Sequence, residues 1–189
     1  MAYTTKWYSR PVATEEYLRF EAFSALAYGA QGIIYWTYGQ RKSNEVETYT
    51  SALVNMNGKI TKSWYAAQKV NQEIKKYNDV FYECKVEQVR HTGSNLYKGT
   101  KRLSGTIGPF KMIRSKDAGV IVSLIINKGE TYIVLVSRDV LKKQTITLEL
   151  SANKKVKNIS SNKQEIYDWR KDVTLTLDKG GYVIFKVVE

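Results

Sequence analysis

The stretch Glu21-Ala22-Phe23-Ser24-Ala25-Leu26-Ala27-Tyr28-Gly29-Ala30-Gln31-Gly32-Ile33-Ile34-Tyr35-Trp36-Thr37-Tyr38 decides the fold. Its first half is apolar and helix-forming. Gly29 is placed to stop that helix as the residue after the C-cap, where a positive φ is needed. Ile33 to Tyr38 then reads as a strand that is apolar on both faces, as buried parallel strands are. A parallel strand cannot stand alone, and its neighbours are expected to be other βα units. The remaining chain leaves room for one or two of them.

The chain has 189 residues, 43% of them apolar and 25% charged, which suits one or two globular domains with a real core. No run is apolar for long enough to cross a bilayer, and Met1 to Arg10 has no stretch of signal-peptide type. A single cysteine, Cys84, excludes an internal disulfide and leaves the redox compartment open. The net charge of +12 is unevenly placed. Residues 1–84 carry 10 basic and 8 acidic side chains, and residues 85–189 carry 20 and 10. Any electrostatic attraction of a partner therefore belongs to the second half.

Working outward, Pro11 and Thr14-Glu15-Glu16 predict a helix start with Thr14 as N-cap and two acids in the first turn. Tyr17, Leu18, Phe20, Phe23, Leu26 and Ala27 spread too widely for one narrow stripe, so this helix should be buried on more than one side. Gly39 to Lys59 is polar and turn-rich. Thr61 or Ser63 can cap a second, amphipathic helix along which Trp64, Ala67, Val70, Ile74, Tyr77 and Phe81 recur.

After Cys84 the period changes to that of strands. The candidates are residues 86–92, 106–114, 120–127, 132–137, 145–150, 156–159, 173–177 and 182–188. Asn127-Lys128-Gly129-Glu130 and Asp178-Lys179-Gly180-Gly181 read as two hairpin turns. Ile146, Leu148 and Leu150 alternate with polar residues, as do Val173, Leu175 and Leu177, so these strands are half-exposed. Short strands with regular turns predict an antiparallel sandwich. The expected fold is α+β, with N-terminal helices and a barrel-type strand over residues 1–84, followed by an antiparallel β-sandwich over 85–189.

The order of parts resembles a known family. Arg10-Pro11, Glu16-Tyr17-Leu18-Arg19 and Leu26 to Tyr38 resemble the last units of a TIM-barrel glycoside hydrolase of the β-galactosidase type. Asn57-Gly58-Lys59-Ile60-Thr61, Trp64-Tyr65 and Val70-Asn71-Gln72-Glu73-Ile74 resemble the loop and final barrel helix of those enzymes. Tyr132 to Asp139 and Gly180 to Phe185 are similar to strands of the sandwich that commonly follows the barrel. The resemblance implies that Ile33–Tyr38 is the eighth barrel strand, Glu15–Tyr28 the helix before it and Ser63–Phe81 the helix after it. It also implies that the two catalytic carboxylates, from the fourth and seventh strands, lie upstream of this sequence. A retaining glycosidase needs two carboxyl groups about 5 Å apart, and no strand here ends in a glutamate that fits either role.

The candidate chemistry is accordingly thin. Glu15 and Glu16 suit a helix macrodipole better than an acid pair, because adjacent helical residues point apart. Glu45 and Glu47 fall in a polar loop and read as solvated. Trp36 and Tyr38 alternate onto one strand face at the C-terminal edge, where barrel enzymes build their sites. They offer flat faces to a sugar ring, although a core or interface role ranks ahead of that one. His91, the only histidine, makes neither a metal site nor a triad and should be at the surface or hydrogen-bonded. Cys84 reads as a small buried hydrophobe. The lysines of the second half are scattered through turns without aromatic interleaving, which argues against a specific nucleic-acid groove.

The expected function is that of a C-terminal piece of a glycoside hydrolase-like protein, non-catalytic alone, or of a carbohydrate-binding or accessory module. No catalytic residue, metal or cofactor is assigned. Trp36 and Tyr38 are the candidates for a carbohydrate ligand, and the open strand edges are expected to pair with a second copy or with a barrel portion. An extracytoplasmic setting follows if the chain belongs to a longer enzyme of this kind.

Overall fold

In the computed structural model, residues 1–7, 12–116 and 118–188 are described. Arg10 and Pro11, assigned above to the helix entry, lie outside them. The N-terminal part holds short strands β1 (Ala2–Tyr3), β2 (Lys6–Trp7), β3 (Tyr35–Trp36) and β4 (Tyr49–Thr50), with helices α1 (Glu15–Ala27), α2 (Lys62–Lys76) and α3 (Asn78–Phe81). Nine further strands follow: β5 (Lys85–His91), β6 (Phe110–Ser115), β7 (Val120–Asn127), β8 (Glu130–Ser137), β9 (Gln144–Leu150), β10 (Lys155–Asn158), β11 (Ile166–Asp168), β12 (Val173–Leu177) and β13 (Tyr182–Val188).

Helix α1 begins and ends as its sequence dictates. The Thr14 hydroxyl accepts from the Tyr17 N–H at 3.4 Å. At the other end Gly29 has φ +89°, its N–H donates to the Leu26 carbonyl at 2.9 Å, and the Ala30 N–H donates to Ala25 at 3.0 Å. That is the Schellman pattern, which satisfies carbonyls the helix end leaves free. Helix α2 is capped by Thr61, whose hydroxyl accepts from the Ser63 N–H at 3.1 Å. The expected continuous helix to Phe81 breaks at Tyr77, where ψ rises to 27°, and α3 follows as a separate turn.

The opening stretch does form a parallel strand, and its neighbour is the chain's own N-terminus. β1 pairs with β3 in parallel, Ala2 with Tyr35 and Tyr3 with Trp36, so β1–α1–β3 is one βαβ unit. The pairing covers two residues per strand rather than the whole of Ile33–Tyr38. The strand is also not buried on both faces. Exposure alternates along it, with Ile34 at 70%, Trp36 at 36% and Tyr38 at 63%, while Ile33 and Tyr35 pack inward. β1 and β3 form a two-stranded sheet whose buried cluster lies on the side of Ile33 and Tyr35.

The sandwich is antiparallel throughout. One sheet has six strands in the order β11-β10-β13-β8-β7-β5, and the facing sheet has three, β12-β9-β6. Strand β11 was not anticipated, because three residues flanked by polar turns carry no alternation to read. Asn127 pairs with Glu130 across Lys128 (φ 49°) and Gly129 (φ 80°), a two-residue hairpin of the expected kind. The second expected hairpin is a crossover instead. β12 and β13 lie in different sheets, and Asp178–Gly181 carries the chain between them. Gly180 (φ +55°) passes so close to α1 that a Cβ there would sit 2.2 Å from the Glu16 carbonyl oxygen.

The molecule therefore has three layers. Val120, Val122, Ile133 and Leu135 face the three-stranded sheet, with Ile146, Leu148, Phe110 and Phe185 completing that core. The alternate residues Ile121, Ile125, Tyr132, Val134 and Val136 face the other way, onto Phe23, Leu26, Ala27, Tyr77, Val80 and Phe81 of the helices. A third cluster, with Leu18, Ala22, Ala67 and Val70, joins α1 to α2.

Candidate functional site

The βαβ unit aims the carboxyl ends of β1 and β3 in one direction, and the backbone there is tightly held. The Thr4 N–H donates to the Trp36 carbonyl and the Thr4 hydroxyl to the Thr37 carbonyl, both at 2.7 Å, and Thr4 is fully buried. The Thr37 hydroxyl donates to the Gly39 carbonyl at 2.6 Å, and the Val54 N–H donates to the Tyr38 carbonyl at 2.8 Å. The peptide bond between Trp36 and Thr37 is cis.

Against this backbone stand four aromatic rings. The Trp36 and Tyr38 side chains both reach solvent. The Tyr38 ring packs edge-on to Trp64 of α2, with centroids 6.1 Å apart. The guanidinium of Arg41 sits 6.0 Å from the centre of the Trp36 ring and 5.3 Å from that of Tyr49, within reach of cation–π attraction. Tyr49 is 4% exposed, and its hydroxyl donates to the Glu47 carboxylate at 2.7 Å. An exposed indole with a guanidinium beside its ring can stack on the apolar face of a sugar. Trp36 and Tyr38 are thus on one edge, each with a separate partner. Arg41 and Tyr49 were not singled out in the sequence, since the aperiodic loop 39–59 gives no signal of what it folds against, and Trp64 was read there only as a residue of the amphipathic helix.

The other residues weighed above play structural parts. Glu15 pairs with Arg19 and, at 2.8 Å, with Lys69. Burial works to raise the Glu15 carboxyl, but hydrogen bonds from Lys69 and Arg19 outweigh it and hold it below its ordinary range. A bond with the Thr14 hydroxyl lowers Glu16. The Arg19 side chain is only 12% exposed and grips Glu73 of α2 with two donors, each at 2.8 Å. These groups line a polar cleft of about 880 Å³ between the helices and the sandwich, with Tyr77 and Tyr182 among its walls. Glu45 is exposed in its loop. Cys84 is half-buried, and burial pushes its thiol up. His91 is buried and hydrogen-bonded to Tyr28 at 2.6 Å. Among the described residues no cluster of three or more His, Cys, Asp or Glu could hold a metal ion, and no helix is long and apolar enough to cross a membrane.

A βαβ unit with an aromatic strand end open to solvent, followed by a packed helix and a sandwich, agrees with the glycoside hydrolase class that the sequence resembles. Residues 4–77 match the family model for beta-galactosidase, glycoside hydrolase family 42. That span runs from the end of β1 to the close of α2 and includes Trp36, Tyr38, Arg41 and Trp64. Over that span the chain is similar to the beta-galactosidase family. No curated protein and no solved structure matches the chain.

Proposed function

We propose that this chain is the C-terminal piece of a glycoside hydrolase-like protein: a sugar-facing strand end joined to an accessory sandwich, without glycosidase activity of its own. The observation that carries this reading is the Trp36–Tyr38 edge, exposed at the carboxyl end of a parallel pair within the matched span. Glu47, the acid of the adjoining loop, is bonded to Tyr49, and glycoside cleavage needs two carboxyl groups flanking the bond. Highly purified protein offered aryl β-glycosides should release no aglycone. Turnover that is abolished by substituting a residue of this chain would overturn the proposal.

A second reading, favoured by the exposure of Trp36 and Tyr38, is a carbohydrate-binding or accessory module. Titration with a panel of oligosaccharides should then change tryptophan fluorescence in the parent protein and not in Trp36→Ala. Silence across the panel counts against it. The exposed apolar side chains Ile34, Trp36 and Tyr38 also favour coverage by a second copy or a barrel portion. A persistent monomer at high concentration in light scattering would remove the second copy from consideration.

A further inference from the structure

The chain has one histidine, and it lies on the seam between α1 and the sandwich. His91 ends β5 and is 4% exposed. Its Nε2 is 2.6 Å from the hydroxyl of Tyr28, the C-cap residue of α1. The backbone around it is fixed. His91 pairs with Ile121 of β7, its N–H donates to the Lys101 carbonyl at 2.9 Å, and its own carbonyl accepts from Leu103 at 2.8 Å. The seam continues beside it. The Ser123 hydroxyl of β7 donates to the Ala27 carbonyl at 2.7 Å, and Gly29 lies against Val86 of β5.

The surroundings of the imidazole suit its neutral form. Nδ1 is buried with no hydrogen-bond partner in the protein. Whichever way the proton lies between Nε2 and the phenol, Nδ1 stays unpaired. The charged group acting on the ring is Arg138, which follows β8 and donates to the carbonyls of Thr92, Ala118 and Asn95 at 2.9, 2.8 and 2.6 Å. Behind Arg138 stand the Tyr97 ring, 5.5 Å from its guanidinium, and a second cation, Arg102, from the segment that bridges to His91. Tyr28 brings a phenol from α1. Among the described residues no carboxylate acts on the imidazole. A proton on His91 would place a second cation beside Arg138, with a buried N–H that has no acceptor.

We propose that the Tyr28–His91 pair is a proton-released latch, which holds the C-terminal end of α1 on the sandwich while His91 is neutral and lets go when His91 is protonated. Burial first, and then Arg138, depress the proton affinity of the docked imidazole. The released imidazole returns to its ordinary pKa near 6.5. The contribution to docking is therefore complete above about pH 6.5 and fades as pH falls through the depressed value. Over that window the opening constant rises by up to about tenfold per pH unit. With one histidine in the chain, no other side chain of ordinary pKa titrates there.

Two measurements on the intact chain test the latch. The single imidazole resonance should titrate with a midpoint below 6.5. Protection factors of amides in the last turn of α1, corrected for intrinsic exchange, should fall by up to about tenfold from pH 6.5 to 5.5. In His91→Phe that fall should vanish. If His91→Phe does not fold, Tyr28→Phe decides: it removes the cross-seam bond and leaves Arg138 in place, so protection of the last-turn amides of α1 should already be reduced at about pH 7. A parent midpoint at or above 6.5, the same pH dependence in His91→Phe, or undiminished protection at about pH 7 in Tyr28→Phe overturns the proposal.

Discussion

Asn127 is buried where β7 turns into β8, and its side-chain amide donates to the carbonyls of Asp79 at 2.9 Å, Val80 at 3.4 Å and Tyr82 at 2.8 Å. One side chain thus ties α3 to the sandwich. Asn127→Ala strands those carbonyls away from their donor, and the cost should be about 1–3 kcal/mol. A lower urea midpoint with an unchanged m-value would show it. The sequence displays Asn127 only as part of a hairpin turn, which it also is. Its second role depends on a segment almost fifty residues earlier, and no local pattern carries that. The same limit applies to the edge formed by Trp36 and Tyr38. The alternation of Trp36 and Tyr38 is legible in the chain, whereas the Arg41–Tyr49–Glu47 cluster beside it is set by how a turn-rich loop folds back. His91 is similar, with its residue type plain and its partner 63 positions away.

The ends of α1 were readable because caps are chemistry between near neighbours. Thr14→Ala should destabilise the protein by about 1 kcal/mol, seen as a small drop in thermal midpoint. The crossover at Gly180 was misread as a hairpin because a turn signal says that the chain reverses and not which sheet it joins. Gly180→Ala tests the structural reason. With φ at +55° and the Glu16 carbonyl in the way, the substitution should cost more than 1 kcal/mol and separate the first turn of α1 from the loop. A neutral effect would mean that the loop does not approach the helix. Continuous apolar runs in β7 and β8 were also present in the sequence, without the alternation of β9 and β12. The structure gives their meaning: these strands are covered on both faces, by a sheet on one side and by helices on the other.

Across the whole molecule, the sandwich was predictable from turn spacing, and the docking of the helices on it was not, since α1 and β7 recognise each other through a dispersed set of apolar side chains. Residues 85–189 expressed alone should expose Ile121, Ile125, Val134 and Val136 and bind a hydrophobic dye that the full chain ignores. The helical layer has its own acid limit. Glu15 is held below its ordinary 4.5, so the stability it contributes is present above that value and is lost as pH falls through the depressed one. Glu15→Gln should flatten this lower limb in a stability–pH curve and leave the region near neutrality unchanged.

The three-layer arrangement also bears on the order in which the chain is made. A ribosome releases α1 and α2 first, yet the strands that cover their outward apolar faces are β7, β8 and β13, the last of which ends at Val188. The hydroxyl that bonds the Ala27 carbonyl belongs to Ser123, 96 residues later. During synthesis the helices therefore wait, with Phe23, Leu26 and Phe81 incompletely covered, until β7, β8 and finally β13 have emerged. A nascent chain halted before residue 120 should engage chaperones that bind exposed apolar segments, and the completed chain should release them.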